Sequence, residues 1–203
     1  MKIDISKGDI AMFKLPDAQS MTDDEIYLQT YQQVYQLFCL RAQVLYGVPH
    51  ALENPKVFTQ ELSIELDQID REICRFEGDF WLSIERCKQN GKEFFVEKIA
   101  TLHRLDFFEK RVMLFLIFSR LNQPRPYGYC AEQIIRILDI NNSVAERFKN
   151  LLYFSGSSPA LIKEVLTVSE ICPEKAYQIS PKIMQQISSL LKGETQAKQA
   201  IGE

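Results

Sequence analysis

Residues 130–153 read CAEQIIRILDINNSVAERFKNLLY, and this stretch decides the fold. Cys130 to Asp139 is a helix with Ile134, Ile135 and Leu138 inward. Asn141-Asn142-Ser143 is a cap, because short polar side chains accept from the free amides of a helix start. A second helix runs from Val144 to about Tyr153, until Ser155-Gly156-Ser157-Ser158-Pro159 breaks it. Two short helices around a tight connection need more apolar cover than they can give each other. The flanks supply it. Upstream, Asp106 to Leu121 predicts a helix whose middle, Val112 to Phe118, is apolar all round and therefore buried on most sides. Downstream, Val165-Leu166-Thr167-Val168 is β-branched and apolar, Pro173-Glu174-Lys175 is a turn, and Ala176-Tyr177-Gln178-Ile179 is the returning strand. Ser180-Pro181 then opens a last helix, with proline at the first helical position, ending near Lys192-Gly193. Helices followed by a β-hairpin that closes a three-helix core describe a winged helix-turn-helix.

Further upstream, Met1 to Met21 reads as an irregular entry with a short strand at Lys2-Ile3-Asp4-Ile5. Thr22-Asp23-Asp24-Glu25 starts a helix with a capping residue and acidic side chains at the positive end of the dipole. Tyr27, Tyr31, Val34, Tyr35, Phe38 and Leu45 recur at helical spacing, and the aromatic members read as core. Gly47, Pro49 and Pro55 form the loop after it. A second long helix runs from about Thr59 to Asn90, with Leu62, Leu66, Ile69, Ile73, Phe76, Phe80, Ile84 and Cys87 on one face. Its length predicts an antiparallel pair with the first helix, loosened or kinked at Gly78. A short helix from about Lys92 to Arg104 carries Phe95, Ile99 and Leu102 on one side. The expected class is mainly α: a long helical hairpin in residues 1–104, a winged helix in 105–192, and a polar tail in 193–203.

Hydrophobic residues are 46% and charged residues 25% of the chain, an ordinary globular balance that argues against extensive disorder. The net charge of −3 gives no general attraction to nucleic acid or an anionic membrane. The longest strongly apolar run is Val112–Phe118, far short of the roughly 20 residues that span a bilayer. The N-terminus has no signal-peptide pattern, so a cytoplasmic location is expected. Cys39, Cys74, Cys87, Cys130 and Cys172 are odd in number and lack CxxC spacing; the first four fall in apolar helical patterns and read as buried thiols.

Catalytic chemistry finds little to work with. His50 sits in a loop and His103 ends a helix, where a cation is favourable; neither has a zinc partner at ligand spacing or a cysteine placed beside it. Glu61, Glu65, Asp67, Asp70 and Glu72 interleave with Arg71 and Arg75, which predicts a solvated face with ion pairs rather than a metal site. The expectation is no catalytic, cofactor or metal residue, and no enzyme. The candidate recognition helix carries Asn141, Asn142, Ser143, Arg147, Lys149 and Asn150, types that contact phosphates and base edges. Residues 122–192 hold eight basic and six acidic side chains, too weak a bias for a typical DNA-binding face, and Glu170 and Glu174 sit near the turn.

From about Leu102 the chain resembles the region preceding the ATPase module in a group of bacterial AAA-type ATPases. The resemblance covers about ninety residues. Leu105-Asp106-Phe107-Phe108-Glu109-Lys110-Arg111 followed by Val112-Met113-Leu114-Phe115-Leu116 carries it. So do Ser157-Ser158-Pro159-Ala160-Leu161-Ile162-Lys163 leading into Val165–Val168, and Tyr177-Gln178-Ile179-Ser180-Pro181-Lys182-Ile183. It implies a helical segment leading into a variant winged helix that recruits targets or organises the assembly. The chain departs from that family in having no GxxxxGK[ST] phosphate loop and no strand ending in paired acids. It therefore reads as a stand-alone relative or an N-terminal piece without the ATPase. The expected function is a protein-interaction module with a protein or ATPase-subunit partner; the alternative is a DNA-binding winged-helix regulator.

Overall fold

Asp23, Asp24 and Glu25 open the first helix, α1 (Asp23–Tyr46), where their charge meets the positive end of the helix dipole. The second, α2 (Pro55–Gln89), begins with proline at its first position, where the missing N–H costs nothing. Pro55 thus opens the helix instead of belonging to the loop before it. The computed structural model describes residues 23–46, 55–122, 128–140, 143–157, 164–171 and 174–188. The expected strand at Lys2–Ile5, the cap at Thr22, the loop at Gly47 and Pro49, His50, Cys172 and the tail 193–203 lie outside these residues.

α1 and α2 pack antiparallel: Tyr27 meets the Phe80 ring at 5.0 Å, while Arg41, almost four turns on, meets Asp70. Tyr27, Tyr31, Tyr35 and Phe38 are all buried, as their spacing predicts. α2 runs through Gly78 without a break. A short helix, α3 (Phe95–Leu102), follows the turn at Gly91. Its N-terminus is capped from outside: buried Asp24 of α1 accepts from the Phe95 N–H at 2.8 Å. Phe95 and Ile99 turn inward, but Leu102 is 70% exposed, so the expected three-residue stripe is only two-thirds buried.

α4 (Phe107–Asn122) is the centre. Val112 to Ser119 are all buried, and Asp106 and Glu109 form a reciprocal cap at its start, with N–H···O distances of 2.7 and 2.9 Å. Tyr129 and Cys130 then form a two-residue strand, β1 (Tyr129–Cys130), before α5 (Ala131–Leu138) and α6 (Val144–Leu152). A wide turn at Tyr153–Ser157 ends α6. β2 (Leu166–Ile171) and β3 (Glu174–Ile179) form a hairpin, and residues 181–188 make α7. The sheet is antiparallel in the order β1-β3-β2, with Tyr129 opposite Tyr177 and Val168 opposite Tyr177 from the other side.

The molecule is therefore mainly helical with a small three-stranded antiparallel sheet. One apolar cluster runs from α1 and α2 through α4 to α5, the sheet and α7. No helix among the described residues is long and apolar enough to cross a membrane.

Candidate functional site

The last turn of α5 ends inside the protein, so its carbonyls need internal donors. Two arginines from other helices supply them. Arg41 of α1 donates to the carbonyls of Arg136, Ile137 (3.2 Å) and Asp139 (3.4 Å). Arg111 of α4 donates to the carbonyl of Leu138 at 2.9 Å. Each guanidinium is held by a carboxylate of α2: Arg41 by Asp70 at 2.6 and 3.3 Å, Arg111 by Glu77 at 2.7 and 2.9 Å. Both pairs are forked and largely buried, and both cations sit at the negative end of the α5 dipole. Asp70 therefore leaves the solvated acidic face on which its spacing placed it, while Glu72 keeps to that face and pairs with Arg75.

Asp139 carries the order onward. Its side chain is 1% exposed, and both carboxylate oxygens accept from the Asn150 amide at 2.9 Å. Ser143 caps α6: its Oγ accepts from the Glu146 N–H at 3.3 Å, and Glu146 accepts from the Ser143 N–H at 3.0 Å. At the other end the Tyr153 hydroxyl donates to Asp106, the capping residue of α4, and its ring lies 5.3 Å from Phe108. That hydrogen bond, with burial second, pushes the Tyr153 hydroxyl up to about 12. Phe154 stacks edge-on to Tyr177 at 4.9 Å, and the Tyr177 hydroxyl donates to the Phe154 carbonyl at 3.2 Å. α6 is held at both ends.

What α6 presents is the reverse of an ordinary surface helix. Its buried residue is the polar Asn150. Its apolar stripe faces out: Val144 is 68% exposed, Phe148 66%, Leu152 56% and Leu151 38%. The spacing of four, seven and eight residues from Val144 puts these on one face. Arg147 lies along one edge and Lys149 along the other; both are exposed and, among the described residues, neither enters an ion pair.

Of the six residues of the candidate recognition helix, Asn141 and Asn142 lie outside the described residues. Ser143 is the N-cap, and Arg147 and Lys149 face water. Asn150 turns inward onto Asp139 and is removed from any contact with an outside molecule. The reading of residue types missed Val144, Phe148, Leu151 and Leu152, because an apolar stripe at helical spacing looks like core until its surroundings are known. His103 caps the C-terminus of α3, with Nδ1 against Glu164. The expected burial of the thiols needs correction: Cys74 is exposed, and Cys39, Cys87 and Cys130 are half-buried. Among the described residues no group of His, Cys, Asp and Glu converges to hold a metal ion. Comparison with known proteins finds no matching family model, no matching curated protein and no matching solved structure.

Proposed function

We propose that the chain is a non-catalytic protein-interaction module that docks a partner protein on the apolar face of α6. The observation that carries this is the inversion of α6: asparagine inside, valine, phenylalanine and leucine outside. Fully burying such a side chain stabilises by about 1.5–3 kcal/mol, so a stripe of four is a strong driving force for association. The edge cations Arg147 and Lys149 favour a partner groove rimmed by carboxylates. The clamps at both ends of α6 support the same reading, because a rigid helix loses little entropy on docking.

The element order helix, strand, two short helices and hairpin supports treating residues 107–188 as a winged helix in which α6 takes the recognition position. The resemblance to the region before the ATPase module of bacterial AAA-type ATPases supports a recruiting or organising role, with an ATPase assembly among the candidate partners.

The alternative is a DNA-binding regulator, and Arg147 and Lys149 are the observation that favours it. Phosphates and base edges ask for hydrogen-bond donors, however, and most of the outward face of α6 offers none. Titration with random duplex DNA at physiological salt separates the two. The expected result is weak, steeply salt-dependent association of about 10⁻⁴ to 10⁻⁶ M, unaffected in its lack of sequence preference by Arg147→Glu with Lys149→Glu. A sequence-selective complex in the nanomolar range, lost in that double variant, would overturn the proposal.

A further inference from the structure

α6 by itself is small for a docking surface. Its nine residues make a helix about 14 Å long, and half the lateral surface of such a cylinder is on the order of 300 Å². A stable interface takes roughly 800 Å² from each partner. A partner that grips α6 therefore reaches past one of its ends, and the C-terminal end is tied to another exposed apolar group. Tyr153, next to Leu152, donates to Asp106 and lays its ring 5.3 Å from Phe108. Between those two residues stands Phe107, the first of α4, which is 55% exposed. Its ring is held edge-on to Trp81 of α2 at 5.4 Å, so contact on one side fixes it while the rest meets water.

Three residues before Phe107, Arg104 is exposed and, among the described residues, enters no ion pair. It takes the left-handed φ of +52° just past α3, where glycine is usual. Its N–H donates to the Thr101 carbonyl at 3.1 Å, and the Leu105 N–H to that of Ala100 at 2.8 Å. An arginine there carries strain that a glycine would not, so the backbone gives no reason for the guanidinium. The nearby acids are engaged: Asp106 with Tyr153 and the Glu109 N–H, Glu146 with Ser143, Glu164 with His103.

We propose that the docking surface on α6 continues across the Tyr153–Asp106 joint onto Phe107, with Arg104 as a third rim cation beside Arg147 and Lys149. The occupant is one folded partner protein whose apolar cleft, rimmed by carboxylates, covers α6 and the first turn of α4 together. This rests on the α6 reading and adds the partner's extent: a cleft longer than a groove for one short helix. The apolar side chains supply affinity, and three cations around them select an acidic rim.

The test places a benzoylphenylalanine photo-crosslinker at position 107 of the full chain in cells and compares its product with that from position 148. Both positions should give the same discrete adduct, identified by mass spectrometry as one protein with a carboxylate-rimmed apolar cleft. Leu152→Glu should remove the adduct at position 107. Arg104→Gly should lower its yield by about threefold. The same variant should leave the denaturant midpoint unchanged or raise it, so the loss is not misfolding. An adduct at 148 with none at 107, or different adducts at the two, would confine the surface to α6 and overturn this proposal alone. A yield at 107 indifferent to Leu152→Glu or to Arg104→Gly would overturn it as well. No adduct at either position, one that nuclease removes, or one with a second copy of the chain would overturn both this proposal and the α6 reading.

Discussion

Arg41 and Tyr31 stand on the same helix ten residues apart, and their energetics run in opposite directions. Arg41 is 6% exposed and fully engaged, with Asp70 on one side and the carbonyls at the end of α5 on the other. Tyr31 is wholly buried, yet its hydroxyl has no hydrogen-bond partner among the described residues, and burial pushes its pKa well up. Removing one member of a buried ion pair leaves the other charge stranded, at a cost of about 3–5 kcal/mol. Arg41→Ala should therefore lower the unfolding free energy by that amount, read as a lower denaturant midpoint, with carbonyls of α5 uncapped as well. Tyr31→Phe removes a buried polar group that has nothing to lose, so it should leave the midpoint unchanged or raise it. A loss above about 1 kcal/mol in Tyr31→Phe would reveal a donor or acceptor the structure does not place there. The neighbouring Tyr27 differs because its hydroxyl donates to Glu97 at 3.1 Å, and Lys110 holds the same carboxylate. None of these pairings was legible in sequence. Periodicity shows that Arg41 and Asp70 fall on particular faces of two helices; it does not show that those faces meet at the end of a third.

At the scale of elements, long apolar repeats were legible, and so were the short helices and the hairpin that a period or a turn marked; β1 and the exact start of α3 were not. Eight aligned apolar positions made α2 visible, and the continuous run from Val112 to Phe118 marked α4 as central. β1 escaped because two residues carry no period, and its placement rests on Gly128 before it. Gly128 adopts φ +77°, and a Cβ there would sit 2.5 Å from the Tyr177 carbonyl oxygen and 2.7 Å from the Gln178 Cγ. Backbone against backbone cannot give way cheaply. Gly128→Ala should destabilise by about 1–3 kcal/mol and expose the β1–β3 amides to faster hydrogen exchange. Unchanged stability with unchanged exchange at Tyr129 and Tyr177 would show that β1 is not docked in this register. α3 was legible as a short helix, but its start was not: its N-terminus is capped by Asp24 of α1, seventy-one residues earlier in sequence, so no local signal fixed it. α6 was legible as a helix, down to its cap at Ser143, but its orientation was not. The same nine residues serve as a core helix or as a docking helix according to which face the rest of the molecule covers.

Across the whole molecule, the helical pair of α1 and α2 orders a helix it barely touches. Asp70 and Glu77 hold two arginines, the arginines hold the end of α5, and Asp139 at that end holds Asn150 of α6. The consequence is a helix whose inward side is polar and satisfied and whose apolar side faces out. The central claim is that this apolar side is covered by another protein in the cell. A photo-crosslinking residue at Phe148 tests it directly, with the same residue at exposed Gln68 on α2 as the control. The account predicts one discrete protein adduct at position 148, none at position 68, loss of the adduct when Leu152→Glu is added, and carboxylates rimming the groove of the partner so identified. No adduct at position 148, or one that nuclease removes, would contradict it.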